Sequence, residues 1–108
     1  MVVTGEGRLD AQTAMGKAPA GVARLAKRYG KPVVAFAGGI ADGAQACHAA
    51  GIDAFFPAVR GVTTLEEAMR PETAAENLAA AAEQVFRLVG TAHGEVAESR
   101  VCTRFDGA

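Results

Sequence analysis

Val2-Val3-Thr4-Gly5-Glu6-Gly7-Arg8-Leu9-Asp10-Ala11-Gln12-Thr13 opens the chain, and its reading decides the fold. A β-branched pair breaks into a glycine-rich stretch that carries the carboxylates of Glu6 and Asp10 and the guanidinium of Arg8. A helical pattern starts just after it, through Gly16-Lys17 and Pro19-Ala20-Gly21-Val22. Open α/β proteins place their chemistry at such an exit from a strand. The helical pattern covers Ala14 to Tyr29, with Val22, Leu25, Ala26 and Tyr29 recurring on one face. Pro19 either puts the start of regular helix near Ala18 or kinks the first turn. Lys27 and Arg28 complement the dipole of the last turn, and Gly30 closes it.

Beyond Lys31-Pro32, the run Val33-Val34-Ala35-Phe36-Ala37 has no polar alternation, as expected of a strand covered on both faces. Gly38-Gly39 ends it. A short helix is expected over Asp42 to Ala50, then a third strand, Ala54-Phe55-Phe56, stopped by Pro57. Thr64 and Glu67 have capping-box spacing, which starts a short helix to about Met69. Pro71 opens a longer helix to about Val89, with Leu78, Ala82, Val85, Phe86 and Val89 as its apolar face and Gly90 as its end. Strands alternating with helices predict an α/β fold with a parallel sheet, a βαβαβα segment of Rossmann or flavodoxin-like type. Val2-Val3 read as the end of a strand, so the segment is expected to be a fragment of a larger domain. Residues 1–90 form this partial domain, and residues 91–108, without clear period, are expected to be an unstructured tail.

Composition narrows the function. Eleven Lys and Arg against twelve Asp and Glu leave no basic footprint for nucleic acid. No apolar run approaches the ~20 residues that span a bilayer, and no secretory leader pattern is present. Cys47 and Cys102, far apart, fit a reducing compartment rather than a disulfide framework, so a cytoplasmic protein is expected. His48 and His93 lack metal-ligand spacing.

In a parallel sheet the strand C-termini share one edge, so two loops should converge there, Thr4 to Asp10 and Gly38 to Gly43. Gly5, Gly7, Gly38 and Gly39 let backbone N–H groups approach an anion. Arg8 can grip a carboxylate or phosphate in bidentate fashion, and Lys17 can act as a point charge. Glu6, Asp10 or Asp42 can hold Mg²⁺. Together these are the parts phosphoryl transfer uses. The plainer alternatives are turns for the glycines, a loop-bonding or helix-capping Asp10, a solvated Glu6–Arg8 pair and a surface Lys17. A P-loop, a dinucleotide fingerprint and a G-x-S-x-G elbow are all excluded by the residues at the required positions.

The string Thr4-Gly5-Glu6-Gly7-Arg8-Leu9-Asp10-Ala11-Gln12-Thr13, with Gly16-Lys17, Pro19 and Gly21-Val22-Ala23, resembles the C-terminal segment of the bacterial two-domain glycerate kinase family, whose pattern is TGEGRxDxQTxxGKxPxGVA. The similarity continues through Lys31-Pro32-Val33, Gly51-Ile52-Asp53-Ala54 and Thr64-Leu65-Glu66-Glu67-Ala68. The resemblance implies ATP- and Mg²⁺-dependent phosphorylation of D-glycerate. It makes Glu6, Arg8, Asp10 and Lys17 the candidates for an active-site role, the same four that the residues themselves offer. Asp10, Arg8 and Lys17 are expected to be catalytic. The loop chemistry gives Gly5, Glu6, Gly7, Gly38 and Gly39 as substrate-binding candidates and Glu6 and Asp42 as metal-binding candidates. The resemblance also implies that these residues need the remainder of the enzyme, so the segment alone is expected to be inactive. The competing reading is a stand-alone small-molecule or phosphate-binding module without catalysis.

Overall fold

A computed structural model of the chain describes residues 1–93. Three parallel strands, β1 (Val2–Leu9), β2 (Val33–Ile40) and β3 (Ala54–Pro57), lie in the order β1-β2-β3. Helices α1 (Ala18–Arg28) and α2 (Ala46–Ala49) connect them. Two helices follow, α3 (Leu65–Ala68) and α4 (Pro71–His93). The α/β class and the parallel sheet are as the alternation of patterns predicts.

Both faces of β2 are covered, as its unbroken apolar run requires. On one face Val33, Ala35 and Ala37 pack with Leu9, Ala23 and Ala26 of α1, Cys47 of α2 and Ile52. On the other, Val34 and Phe36 meet Val85, Ala81, Ala82 and Val89 of α4 and the ring of Phe56.

The strands run further than the glycines suggest. The segments expected to be loops, Thr4 to Asp10 and Gly38 to Gly43, begin as β-structure. Glu6 pairs with Ala37, Arg8 with Gly39 and Leu9 with Ile40. Gly7 and Gly38 lie between these pairs, and a Cβ on Gly38 would stand 2.8 Å from the Gly7 carbonyl oxygen. The glycines here permit close strand approach rather than a turn. The side-chain alternation also slips at this point. Ile40 joins the core of Val33, Ala35 and Ala37 although it is out of phase with them, and Leu9 does the same beside Val2.

The helix expected from Ala14 is divided. A 3₁₀ turn, Thr13–Met15, ends at Gly16, whose φ of 136° few other residues adopt. Lys17 is the extended N-cap of α1, and Pro19 sits in the first turn, where its missing N–H costs nothing. The buried face of α1 is Pro19, Ala20, Ala23 and Ala26. Of the predicted face only Ala26 is buried. Val22, Leu25 and Tyr29 are 37%, 54% and 72% exposed. Alanines let the helix lie close to the sheet, and its bulky residues are turned away.

The expected helix over Asp42 to Ala50 is mostly turn, with α2 limited to Ala46–Ala49. The Thr64 hydroxyl accepts the Glu67 N–H at 3.1 Å, as the capping spacing predicts. In α4, Val85 is buried, but Leu78 and Phe86 of the predicted face are nearly half exposed. The helix passes through Gly90 to His93, so it crosses the expected boundary after residue 90. Gly90 keeps a negative φ, and the Thr91 hydroxyl donates to the Arg87 carbonyl at 2.9 Å. The rest of the expected tail, including Cys102, lies outside the described residues.

Asp53 ties α1 to the sheet. Its carboxylate accepts from Lys27 Nζ and, at 2.7 Å, from the Val33 N–H. The Lys27 hydrogen bond, then that of Val33, hold its pKa below the ordinary carboxylate value. A lowered folded pKa stabilises the fold above the unfolded pKa, and this is lost as pH falls through the folded value. Asp53→Asn is therefore expected to lower the urea midpoint at pH 6. The gap to the parent should close as the pH falls below about 3.9. A gap of constant size would show that charge has no part in it.

Candidate functional site

The carboxyl ends of β1 and β2 converge as expected. The Ala41 N–H donates to the Leu9 carbonyl at 2.8 Å, and Cys47 Sγ reaches the Asp10 carbonyl at 3.8 Å. Cys47 is a buried free thiol, and burial followed by the charge of Asp10 pushes its pKa up.

Asp10 and Thr13 are bonded reciprocally. Asp10 Oδ1 accepts the Thr13 N–H at 3.1 Å and its hydroxyl at 3.3 Å, while Thr13 Oγ1 accepts the Asp10 N–H at 3.1 Å. Thr13 is fully buried, which anchors the turn. Desolvation raises the Asp10 pKa. The Thr13 N–H, the charge of Lys17, the Thr13 hydroxyl and the Gln12 N–H outweigh it, and the net shift is downward. Asp10 is thus a carboxylate at neutral pH with a lysine in its field, and it is also the loop-bonding residue of the plainer alternative.

The other candidates fall into two groups. Gly5, Glu6, Gly7 and Gly38 line a cleft of about 480 Å³ on the α4 side of the sheet. Arg8, Gly39, Asp10 and Lys17 are not among its walls and lie at or beyond the carboxyl ends of the strands. Glu6 Oε1 accepts its neighbour's N–H, from Gly7, at 3.2 Å. Among the described residues no ion pair joins Glu6 to Arg8. Asp42 is exposed in the turn after β2. No three His, Cys, Asp or Glu side chains come together among the described residues. His48 stacks on Phe55 at 5.0 Å, and its Nδ1 lies 2.9 Å from the Ile52 carbonyl, the role of a satisfied structural histidine.

The sequence reading missed Asn77. It is on the buried stripe of α4 with Ala81 and Val85, lines the cleft, and accepts from Arg60 Nε at 3.1 Å. An amide in the same helical register as Ala81 and Val85, on an otherwise apolar stripe, is the available signal.

Parallel strands, a glycine-walled cleft and charged residues at the carboxyl edge make this an α/β chain with its candidate site where open parallel sheets place theirs. Residues 1–90 match the glycerate kinase family. The chain is 49% identical over 83 residues to the glycerate kinase of Halalkalibacterium halodurans, covering 72% of this chain and 22% of that protein. It is 49% identical over 70 residues to the glycerate 2-kinase of Escherichia coli (65% and 18%). It is 50% identical over 76 residues to the glycerate kinase of Bacillus subtilis (70% and 19%). The chain belongs to the glycerate kinase family. It spans about a fifth of the length of the curated relatives it matches. No solved structure matches it. Among the described residues no helix is long and apolar enough to cross a membrane.

Proposed function

We propose that the chain is the C-terminal segment of a cytoplasmic glycerate kinase, which transfers a phosphoryl group from ATP to D-glycerate. Family membership over residues 1–90 supports the reaction class. The observation that carries the site is the ionised Asp10, bonded to Thr13 and facing the charge of Lys17 at the carboxyl edge of the sheet.

In this reading Arg8 and Lys17 bind the carboxylate of glycerate or a phosphate, and the glycines of β1 and β2 bind substrate. Asp10, with its lowered pKa, is a weak base. It acts mainly as a fixed negative charge that orders the cations around the transferring group. Mg²⁺ commonly takes one or two carboxylates and completes its shell with substrate phosphates and water. Glu6 and Asp42 are separate candidates for such an ion: Asp42 is exposed in the turn after β2, at the carboxyl edge, whereas Glu6 lies in the wall of the cleft. When bound, the ion neutralises charge on the transferring phosphoryl group. The remaining four fifths of a relative's length would supply the rest of the ligand contacts, and half a site does not hold two substrates in line.

The test is a chimera in which residues 1–90 replace the matching segment of the Bacillus subtilis enzyme. It is expected to phosphorylate D-glycerate within about tenfold of the parent, whereas the 108-residue chain alone is expected to show no turnover. A folded chimera without activity would overturn the proposal. Turnover by the chain alone would overturn its need for the remainder.

A further inference from the structure

We propose that the glycine-walled cleft takes the uncharged end of the nucleotide, its base and ribose, and that the Asn77 side-chain amide donates a hydrogen bond to a ring nitrogen of the base. This rests on the kinase reading and names the ligand of one part of its site.

Asn77 carries the proposal. It is only 8% exposed, and a side-chain amide in such a place is held where its polar atoms find partners. Arginine has donors and no acceptor, so the Arg60 Nε contact fixes the amide with its oxygen toward Arg60. The NH₂ group must then point elsewhere. Arg60 lines a small hollow of about 190 Å³ with Thr63 and Thr73, and it is not part of the cleft. Asn77 borders both. Its oxygen therefore serves the Arg60 side and its NH₂ serves the cleft. That NH₂ makes no hydrogen bond among the described residues, and it is not sealed from solvent. The fold thus presents a solvent-reachable donor in fixed orientation that no acceptor among the described residues meets.

The walls indicate what carries the acceptor. Val3, Phe36, Val59 and Leu78 are apolar, and Gly5, Gly7 and Gly38 leave bare sheet backbone on which a planar ring can lie. Val3 and Leu78 are 45% and 46% exposed, and a base between them would cover both. Among the described residues no lysine or arginine lines the cleft, and Glu6 is its one charged side chain. A phosphate or the glycerate carboxylate would meet no cation there and one like charge. Both suit the carboxyl edge instead, where Arg8 and Lys17 lie. From Val3 to Gly7 the strand rises about 13 Å at its usual pitch. A nucleoside lying along it would deliver its phosphates to that edge. A volume of about 480 Å³ is in the usual range for ligands of this size.

The test is calorimetric titration of the full chain with adenosine, ATP and D-glycerate. Asn77→Asp keeps the size and the Arg60 partner but replaces the donor with an acceptor. It is expected to weaken adenosine and ATP binding by about tenfold, the loss of one hydrogen bond, and to leave glycerate binding unchanged. Arg60→Met, which frees the amide to rotate, should move adenosine affinity in the same direction. Circular dichroism establishes that each variant is folded, and the Arg60 variant carries the test if the first is not. Adenosine that fails to bind, or binds equally to parent and variants, overturns the assignment. So does a variant that loses glycerate instead. The kinase reading fails separately. An inactive chimera with adenosine binding still sensitive to Asn77 ends that reading and supports the cleft assignment. An active chimera with adenosine binding blind to Asn77 does the reverse.

Discussion

Asp10→Asn in the active chimera is expected to lower kcat by about 10²–10⁴-fold, the usual range for a positioned acid–base or charged group in the site. The substitution is chosen for what it leaves intact. Asparagine keeps an Oδ1 that can accept from the Thr13 N–H and hydroxyl, so the turn that Asp10 anchors at 3.1 Å and 3.3 Å is preserved. What disappears is the negative charge facing Lys17. Unchanged thermal stability with collapsed kcat would separate the chemical role from the loop-bonding one. A kcat within threefold of the parent would leave Asp10 a structural residue and end its place in the mechanism. The pH profile adds a check. The Asp10 pKa is lowered, so its ionised form persists until the pH is below the ordinary carboxylate range. An acid limb near neutrality must then come from another group, and Asp10→Asn should not shift it.

Gly38→Val is expected to cost about 3 kcal/mol, the upper end for forced overpacking. The added Cβ would lie 2.8 Å from the Gly7 carbonyl oxygen, and that atom is backbone within a paired strand. Relief requires β1 and β2 to separate where Arg8 meets Gly39 and Leu9 meets Ile40. Leu9 is fully buried and would be drawn from its core. A loss of this size is a large share of the stability of any small domain. Gly39→Ala is the control, because a Cβ there meets nothing within 4 Å. Urea titration of both should show a large fall in midpoint for the first and little change for the second. Equal midpoints would mean that the close approach of the strands is not a constraint.

These two residues illustrate how much of the site was legible beforehand. Asp10 stands out in the sequence by its place after a β-branched run and before a helix, and both its suggested roles are local. Its bonds to Thr13 span only three residues, so chain order alone brings the partners together. Gly38 is legible as a glycine, but its sequence context points to a loop, and the structure places it inside β2. A glycine that ends a strand and one that admits a neighbouring strand look alike until the neighbour is present. The division of the candidates between cleft and edge was hidden for the same reason. Gly5, Glu6, Gly7 and Gly38 are sorted from Arg8, Asp10 and Lys17 by position along the chain relative to the strand ends and by where α4 crosses the sheet.

Signals that act within a few residues were therefore enough for the strand and helix order, the parallel sheet, the Thr64 cap, the start of α1 near Pro19 and the converging ends of β1 and β2. Only the tertiary structure decided that alanines rather than Val22, Leu25 and Tyr29 face the sheet, that α4 continues through Gly90, and that Arg60 Nε meets the Asn77 amide oxygen. Periodicity shows that a helix has an apolar side but not which side the sheet can approach most closely. That depends on the volume left between elements far apart in sequence, which no local pattern records.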